Sequence, residues 1–145
     1  MNALHRIPMA LGAGLAAAAM LLAGCAGMLT SRTVHVTLSG AEQVPVVATG
    51  AFGDGRIIVG EDRSVSGIVK VAGLAPVAAH IHTGARGQNG PVAIGLAKSS
   101  DTTWEVPPGA KFTEAQYQEF LAGNTYVNFH TAANKGGEIR GQLKP

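Results

Sequence analysis

Apolar and polar residues alternate with a period of two along most of the chain after residue 32. Such alternation is typical of β-strands with one buried face, because successive side chains point to opposite sides of a strand. The pattern predicts seven or eight short strands, and those at 51–60 and 64–72 are expected to form a hairpin. The segments with strand character are 33–38, 51–60, 64–72, 77–83, 92–97, 102–106, 125–131 and 138–143.

One segment breaks this pattern and predicts a short helix in the C-terminal third of the chain. Thr113 and Gln116 match a capping box, in which two side chains satisfy backbone N–H groups at the start of a helix. Gly123 is a natural stop for it. Between them lies an apolar stripe formed by Tyr117, Phe120 and Leu121. Short strands with a single helix indicate an all-β domain, an antiparallel Greek-key β-sandwich or barrel.

The first 24 residues have a different pattern, with one positive charge at Arg6 and an apolar run over residues 10–23. The run is too short to span a bilayer of roughly 30 Å as a permanent helix, so residues 1–24 are predicted to be a signal peptide. It ends in Leu-Ala-Gly before Cys25, which resembles a bacterial lipobox. Residues 25–32 would then be a lipidated N-terminus and linker, and residues 33–145 the β domain. An ordinary signal peptide or a retained anchor is the alternative.

Lipid on Cys25 would make a membrane the first predicted partner, since each buried CH₂ of an acyl chain contributes about 0.8 kcal/mol. We therefore expect an exported, membrane-anchored lipoprotein on the periplasmic face, or in the outer membrane if the source has one. Cys25 is the only cysteine, so no internal disulfide can stabilise the domain. Without Arg6, ten basic residues face nine acidic ones. This balance, with no basic cluster, argues against nucleic-acid binding.

Candidate chemistry is concentrated on two predicted strands. His80 and His82 share one face because they are two residues apart, while Ile81 points towards the core. His130 lies on the strand 125–131, on the face opposite to its apolar residues. If the two strands are neighbours, three neutral imidazoles converge, which suits copper first by the Irving–Williams order, with zinc possible. The alternative is that these are ordinary surface or hydrogen-bonded histidines of a pleated sheet.

Three polar residues are candidates for supporting these histidines. Glu138 and Arg140 lie on the strand that a hairpin joins to that of His130, so either could orient the second ring nitrogen of His130. Asn128 shares the face of His130. The alternative for Glu138 and Arg140 is an exposed ion pair, worth well under about 1 kcal/mol. The sequence has no nucleophile elbow or phosphate-binding loop, so no catalytic residue is assigned.

Five motifs, in order along residues 33–143, resemble the CHRD domain, a module named after chordin and found in many exported bacterial proteins. The resemblance covers nearly the whole of the predicted domain. Its motifs are Glu42-Gln43-Val44-Pro45-Val46, Ala79-His80-Ile81-His82, Asn89-Gly90-Pro91-Val92, Tyr126-Val127-Asn128-Phe129-His130-Thr131 and Gly136-Gly137-Glu138-Ile139-Arg140-Gly141-Gln142-Leu143.

The resemblance implies a Greek-key β-sandwich similar to that of copper/zinc superoxide dismutases, and copper binding is suggested for bacterial members. Together with the three histidines, it favours a lipid-anchored envelope protein that stores, buffers or delivers copper and is not an enzyme. A metal-free adhesion or interaction module, with an envelope protein as partner, is the main alternative. A dismutase-like enzyme is disfavoured because the zinc-loop cluster of histidines and aspartate is not visible in the sequence.

Overall fold

The computed structural model describes residues 30–145, which form nine β-strands, one α-helix and one short 3-10 helix. The predicted signal peptide, Cys25 and most of the linker lie outside these residues. Within them, no helix is long and apolar enough to cross a membrane. The elements are β1 (Ser31–Ser39), a 3-10 helix (Gly40–Glu42), β2 (Phe52–Gly60), β3 (Val65–Ala72), β4 (Pro76–Thr83), β5 (Val92–Gly95), β6 (Ala97–Lys98), β7 (Thr103–Glu105), α1 (Glu114–Leu121), β8 (Thr125–Thr131) and β9 (Ile139–Leu143).

The nine strands form one antiparallel sheet in the order β5-β4-β8-β9-β1-β2-β3-β7-β6. β9 returns to lie beside β1, next to the β1–β2–β3 meander, as in a Greek key. β5 and β6 form the two edges, yet only Leu96 separates them in the chain. The predicted single strand 92–97 is therefore divided at Leu96, and this bend nearly closes the sheet into a barrel. The predicted all-β class is confirmed.

The core lies inside this curved sheet and is made by the alternating apolar positions. Val34, Val36 and Leu38 of β1 are buried, and the intervening residues face outward. Trp104 of β7 meets Phe129 of β8 edge-on, with ring centroids 5.7 Å apart. The core residues all lie between positions 34 and 143, so the described domain encloses its own core.

Helix α1 covers part of this core and begins as the sequence predicts. Both hydrogen bonds of the capping box form between Thr113 and Gln116. Phe120 is fully buried, with its ring 6.0 Å from that of Phe112. Leu121 is 37% exposed, so the buried stripe of the helix is narrower than the sequence predicts.

Candidate metal centre

β4 and β8 are antiparallel neighbours, and their register brings three histidine side chains together. His80 lies opposite Asn128, and His130 lies opposite Ala78. Nδ1 of His80 is 3.0 Å from Nε2 of His130, and the ring centroids of His80 and His82 are 5.5 Å apart. One ligand nitrogen from each of the three rings lies within 4.8 Å of the others. The predicted convergence of the three histidines is therefore confirmed.

The apolar residues of the two strands determine which face the histidines occupy. Ile81, Val127 and Phe129 have no exposed surface and point into the core. A shift of one residue in either strand would turn these side chains outward, so their burial specifies the register. The imidazoles consequently project from the opposite face, where His82 is 8% exposed and His80 and His130 are half-buried.

Two backbone carbonyls determine where two of the rings carry their protons. Nδ1 of His82 donates to the carbonyl of Gly90 at 2.9 Å, and Nδ1 of His130 donates to that of Lys135 at 2.9 Å. A carbonyl oxygen only accepts, so both rings hold the proton on Nδ1 and leave Nε2 unprotonated, with a lone pair that can accept a hydrogen bond or bind a metal ion. Backbone acceptors of this kind commonly orient histidines that ligate metals.

Two further observations show that the histidine nitrogens are suited to a metal ion. Nε2 of His82 is buried and has no hydrogen-bond partner among the described residues. Such an orphaned acceptor costs about 1–3 kcal/mol, and a bound cation would satisfy it. The 3.0 Å between Nδ1 of His80 and Nε2 of His130 suits two ligands at right angles on one ion, at metal–nitrogen distances of about 2.0–2.1 Å.

The protonation state of His80 and His82 also favours metal binding. Burial lowers the pKa of His80, and repulsion from His130 lowers it further. Burial likewise lowers the pKa of His82 against the opposing effect of its hydrogen bond to Gly90. The positive charges of the neighbouring histidines and of Arg140 lower it more. Both rings are therefore neutral at pH 7, which is the state that binds metal ions.

The loop 84–91 covers the His82 side of this face and is held by residues of β8 and β9. The hydroxyl of Tyr126 accepts from the backbone N–H of Gly90 at 3.1 Å, next to the carbonyl that binds His82. Gln142 donates to the carbonyl of Gly84 at 3.0 Å. Arg140 donates to the carbonyls of Ala85 at 3.1 Å and Gln88 at 2.9 Å.

Arg140 is a buried cation, which corrects the interpretation of Glu138 and Arg140 as an exposed ion pair. Its exposure is 1%, and its Cζ lies 3.5 Å from the centroid of the Tyr126 ring. The Tyr126 ring stacks in turn on His82, with centroids 4.9 Å apart and planes 7° from parallel. The reason for the error is that the outward face of β9 is covered by the loop 84–91.

The turn between β8 and β9 carries the Lys135 carbonyl and is held by the other two candidates. Asn128 accepts from Nε2 of Gln43 at 2.6 Å and donates to the carbonyl of Gly136 at 3.1 Å. Glu138 accepts hydrogen bonds from Thr49 at 2.9 Å, Thr131 at 2.7 Å and Asn134 at 3.2 Å.

The prediction that Glu138 or Arg140 orients the second nitrogen of His130 is therefore wrong. The carboxylate of Glu138 is occupied by neighbours in the turn, and Lys135 orients His130 through its backbone. Sequence reasoning also missed Tyr126 and Gln43. Tyr126 could have been found, since it shares the face of Asn128 and His130 by alternation. Gln43 lies in an irregular segment and has no periodic signal.

Comparison with protein families gives a match over residues 34–143 to the model of the CHRD domain. The chain belongs to the CHRD family. No curated protein matches it significantly, and no solved structure does either.

The CHRD match includes all three histidines and every residue that supports them. The motifs that carry the resemblance surround this face of the domain. Gln43 binds Asn128, the Gly90 carbonyl binds His82, and the carbonyl of Gly136 binds Asn128. The motifs thus contain residues of the histidine face as well as core residues such as Ile81, Val127 and Phe129.

Proposed function

We propose that this CHRD protein is a lipid-anchored envelope protein that binds a transition metal, copper first, through His80, His82 and His130. It would store, buffer or deliver the ion and not turn over a substrate. The observation that carries the proposal is the orphaned Nε2 of His82, which faces two other imidazoles within ligand distance. The membrane placement is supported by the lipobox-like sequence before Cys25.

The three histidine rings differ in how ready they are to bind an ion. Nε2 of His82 and Nε2 of His130 are free of protons because Gly90 and Lys135 hold the protons on Nδ1. His80 is the adjustable ring, since its Nδ1 can donate to Nε2 of His130 when no ion is present. Nδ1 of His80 can bind an ion only after it has lost this proton. Because the His80 ring is half-buried, it can exchange the proton with water. A bound copper ion would supply Lewis acidity and, in two oxidation states, an electron.

The metal site is tested with a soluble chain that starts at Ala26. The metal-free protein is titrated with Cu(II) and Zn(II), and copper EPR is recorded for nitrogen hyperfine structure. A His80→Ala/His82→Ala variant should lose at least about 100-fold in affinity, since two of three ligands are removed. His35→Ala is the matched control, because His35 is exposed on β1. Equal affinities of the two variants would overturn the proposal.

The anchor is tested by expressing the full chain in a bacterium with labelled palmitate. The wild-type protein should carry label and sediment with membranes, whereas Cys25→Ser should do neither. A labelled Cys25→Ser protein, or an unlabelled wild type released to the medium, would contradict the lipid anchor.

A further inference from the structure

We propose that the three-histidine site discriminates between ions by charge, and that Arg140 shifts its selectivity towards monovalent copper, Cu(I), and away from Cu(II) and Zn(II). The inference rests on the proposed metal site and adds the oxidation state of the ion. The feature that points to it is the stack of Arg140, Tyr126 and His82, which places an uncompensated positive charge behind one ligand.

The positive charge of Arg140 is not neutralised by a carboxylate in the part of the chain that the structure describes. None of the ion pairs there includes Arg140. Its hydrogen-bond acceptors are all neutral, namely the carbonyls of Ala85 and Gln88 and the side-chain amides of Asn89 and Gln142. Burial lowers the pKa of Arg140, and Tyr126 and Glu42 oppose this only in part. The carboxylate of Glu42 binds Arg86 at 2.5 and 3.1 Å.

The sheet topology places this charge close to the histidines. β8 lies between β4 and β9, so His82 and Arg140 reach the Tyr126 ring from opposite sides. The guanidinium is 3.5 Å from the centroid of that ring, and the His82 centroid is 4.9 Å from it. Because Arg140 is 1% exposed, water screens its field less than that of a surface arginine.

The size of the effect follows from Coulomb's law. A divalent ion brings one more positive charge to the site than Cu(I) does, and the three imidazole ligands are neutral. At roughly 10 Å and an effective dielectric constant of about 20, the repulsion lowers the affinity for the divalent ion about 15-fold relative to the monovalent one.

The number of ligands counts against Cu(II) in particular. The group of metal-binding side chains found in the described residues contains three histidines and no carboxylate. Cu(II) usually takes four or more ligands in a tetragonal arrangement, and a carboxylate would help to balance its second charge. Cu(I) has a filled d shell, imposes no such geometry and accepts three nitrogens.

The test compares affinities for Cu(I), Cu(II) and Zn(II) on the soluble chain from Ala26. Cu(I) is titrated without oxygen against a chromogenic chelator, and the divalent ions against chelators of known affinity. Arg140→Gln removes the charge and should raise the affinities for Cu(II) and Zn(II) about tenfold relative to Cu(I). Arg140→Lys keeps the charge and should leave the ratio unchanged. Tyr126→Phe removes only the hydroxyl contact to Gly90 and should leave it unchanged as well.

A second variant keeps the test decisive if Arg140→Gln does not fold. Asn89→Asp places a carboxylate where Oδ1 of Asn89 now accepts from Arg140 at 3.5 Å, so it offsets the charge while the arginine stays. The change gives up only the hydrogen bond from the exposed Asn89 side chain to the carbonyl of Val44. It should shift the ratio in the same direction as Arg140→Gln. If every ion binds through the histidines but neither variant changes the ratio, the inference is overturned. If no ion binds more tightly than to His80→Ala/His82→Ala, the metal site itself is overturned.

Discussion

The two faces of the β4–β8 strand pair are both largely buried, but by different means. On the inner face Ile81, Val127 and Phe129 have no exposed surface and contact other apolar side chains. On the outer face Tyr126 and Asn128 are 1% and 3% exposed, and they are covered by irregular segments. The inner face depends on packing, which tolerates no gap, whereas the outer face depends on hydrogen bonds to loop backbone.

The inner face of the strand pair thus stabilises the fold, whereas the outer face carries the groups that can bind a metal ion. Carbonyls of Gly90 and Lys135 occupy the Nδ1 atoms of two histidines and leave each Nε2 free to bind an ion. An apolar core has no comparable freedom, because all of its surface is already in contact. The comparison predicts that core variants change folding and that outer-face variants change metal affinity more than folding.

The largest effect is expected from Phe129→Ala on the inner face. Removing a fully buried aromatic ring that meets Trp104 should lower the free energy of unfolding by about 3–5 kcal/mol. Urea denaturation of the metal-free chain measures it. A loss below about 1 kcal/mol would break the comparison, since the inner face would then not depend on packing.

Asn128→Ala on the outer face should have an intermediate effect on folding and a clear effect on metal affinity. It leaves Nε2 of Gln43 and the carbonyl of Gly136 without their partner, which costs about 1–3 kcal/mol. The turn that carries Lys135 loosens, so metal affinity should fall about tenfold or more. Asn124→Ala, whose side chain binds Glu119, is the control and should leave metal affinity unchanged. Equal affinities of the two variants would contradict the supporting role of Asn128.

Thr113→Ala removes the helix cap, away from both faces of the strand pair. The lost hydrogen bond to the N–H of Gln116 should lower the free energy of unfolding by about 1 kcal/mol. Metal affinity should not change, which isothermal titration would verify. A variant that folds normally but binds metal weakly would show that the helix supports the site.

The smallest effect is a pH dependence near pH 6.5 that comes from two histidines of the outer face. His80 and His82 have pKa values lowered from 6.5 by burial, so the unfolded chain binds protons at a pH where the folded chain does not. Stability of the metal-free protein should therefore fall as the pH drops below about 6.5. Denaturation at several pH values should show a weaker dependence for His80→Gln/His82→Gln and no change for His35→Gln. The same slope in all three proteins would mean that these rings titrate alike when folded and unfolded.

The elements and the histidine pair could be predicted from the sequence because they depend on local periodicity. Alternation located the strands, and the Thr113–Gln116 pair located the helix start. Because His80 and His82 are two residues apart on one strand, they were predicted to share a face. The alternation in β8 placed His130 on the face opposite to its apolar residues. That β4 and β8 are neighbours is a matter of topology, and no local pattern encodes it.

The rest of the site could not be predicted because it is made by backbone groups and by distant segments. The carbonyls of Gly90 and Lys135 leave no trace in a pattern of side chains. Arg140 has the phase of an exposed residue on its strand, and it is buried only because a loop more than fifty positions earlier in the chain covers it. That its hydrogen-bond acceptors are neutral follows from the position of this loop, which the sequence does not show.

The bend at Leu96 has a consequence for how molecules of this protein meet each other. An exposed edge strand offers unpaired N–H and C=O groups to which another chain can add a strand. Here one seven-residue stretch lines both edges, and β5 and β6 have only four and two residues. Neither edge is long enough to template a fibril, so the closure of the sheet also protects the domain against edge-to-edge aggregation.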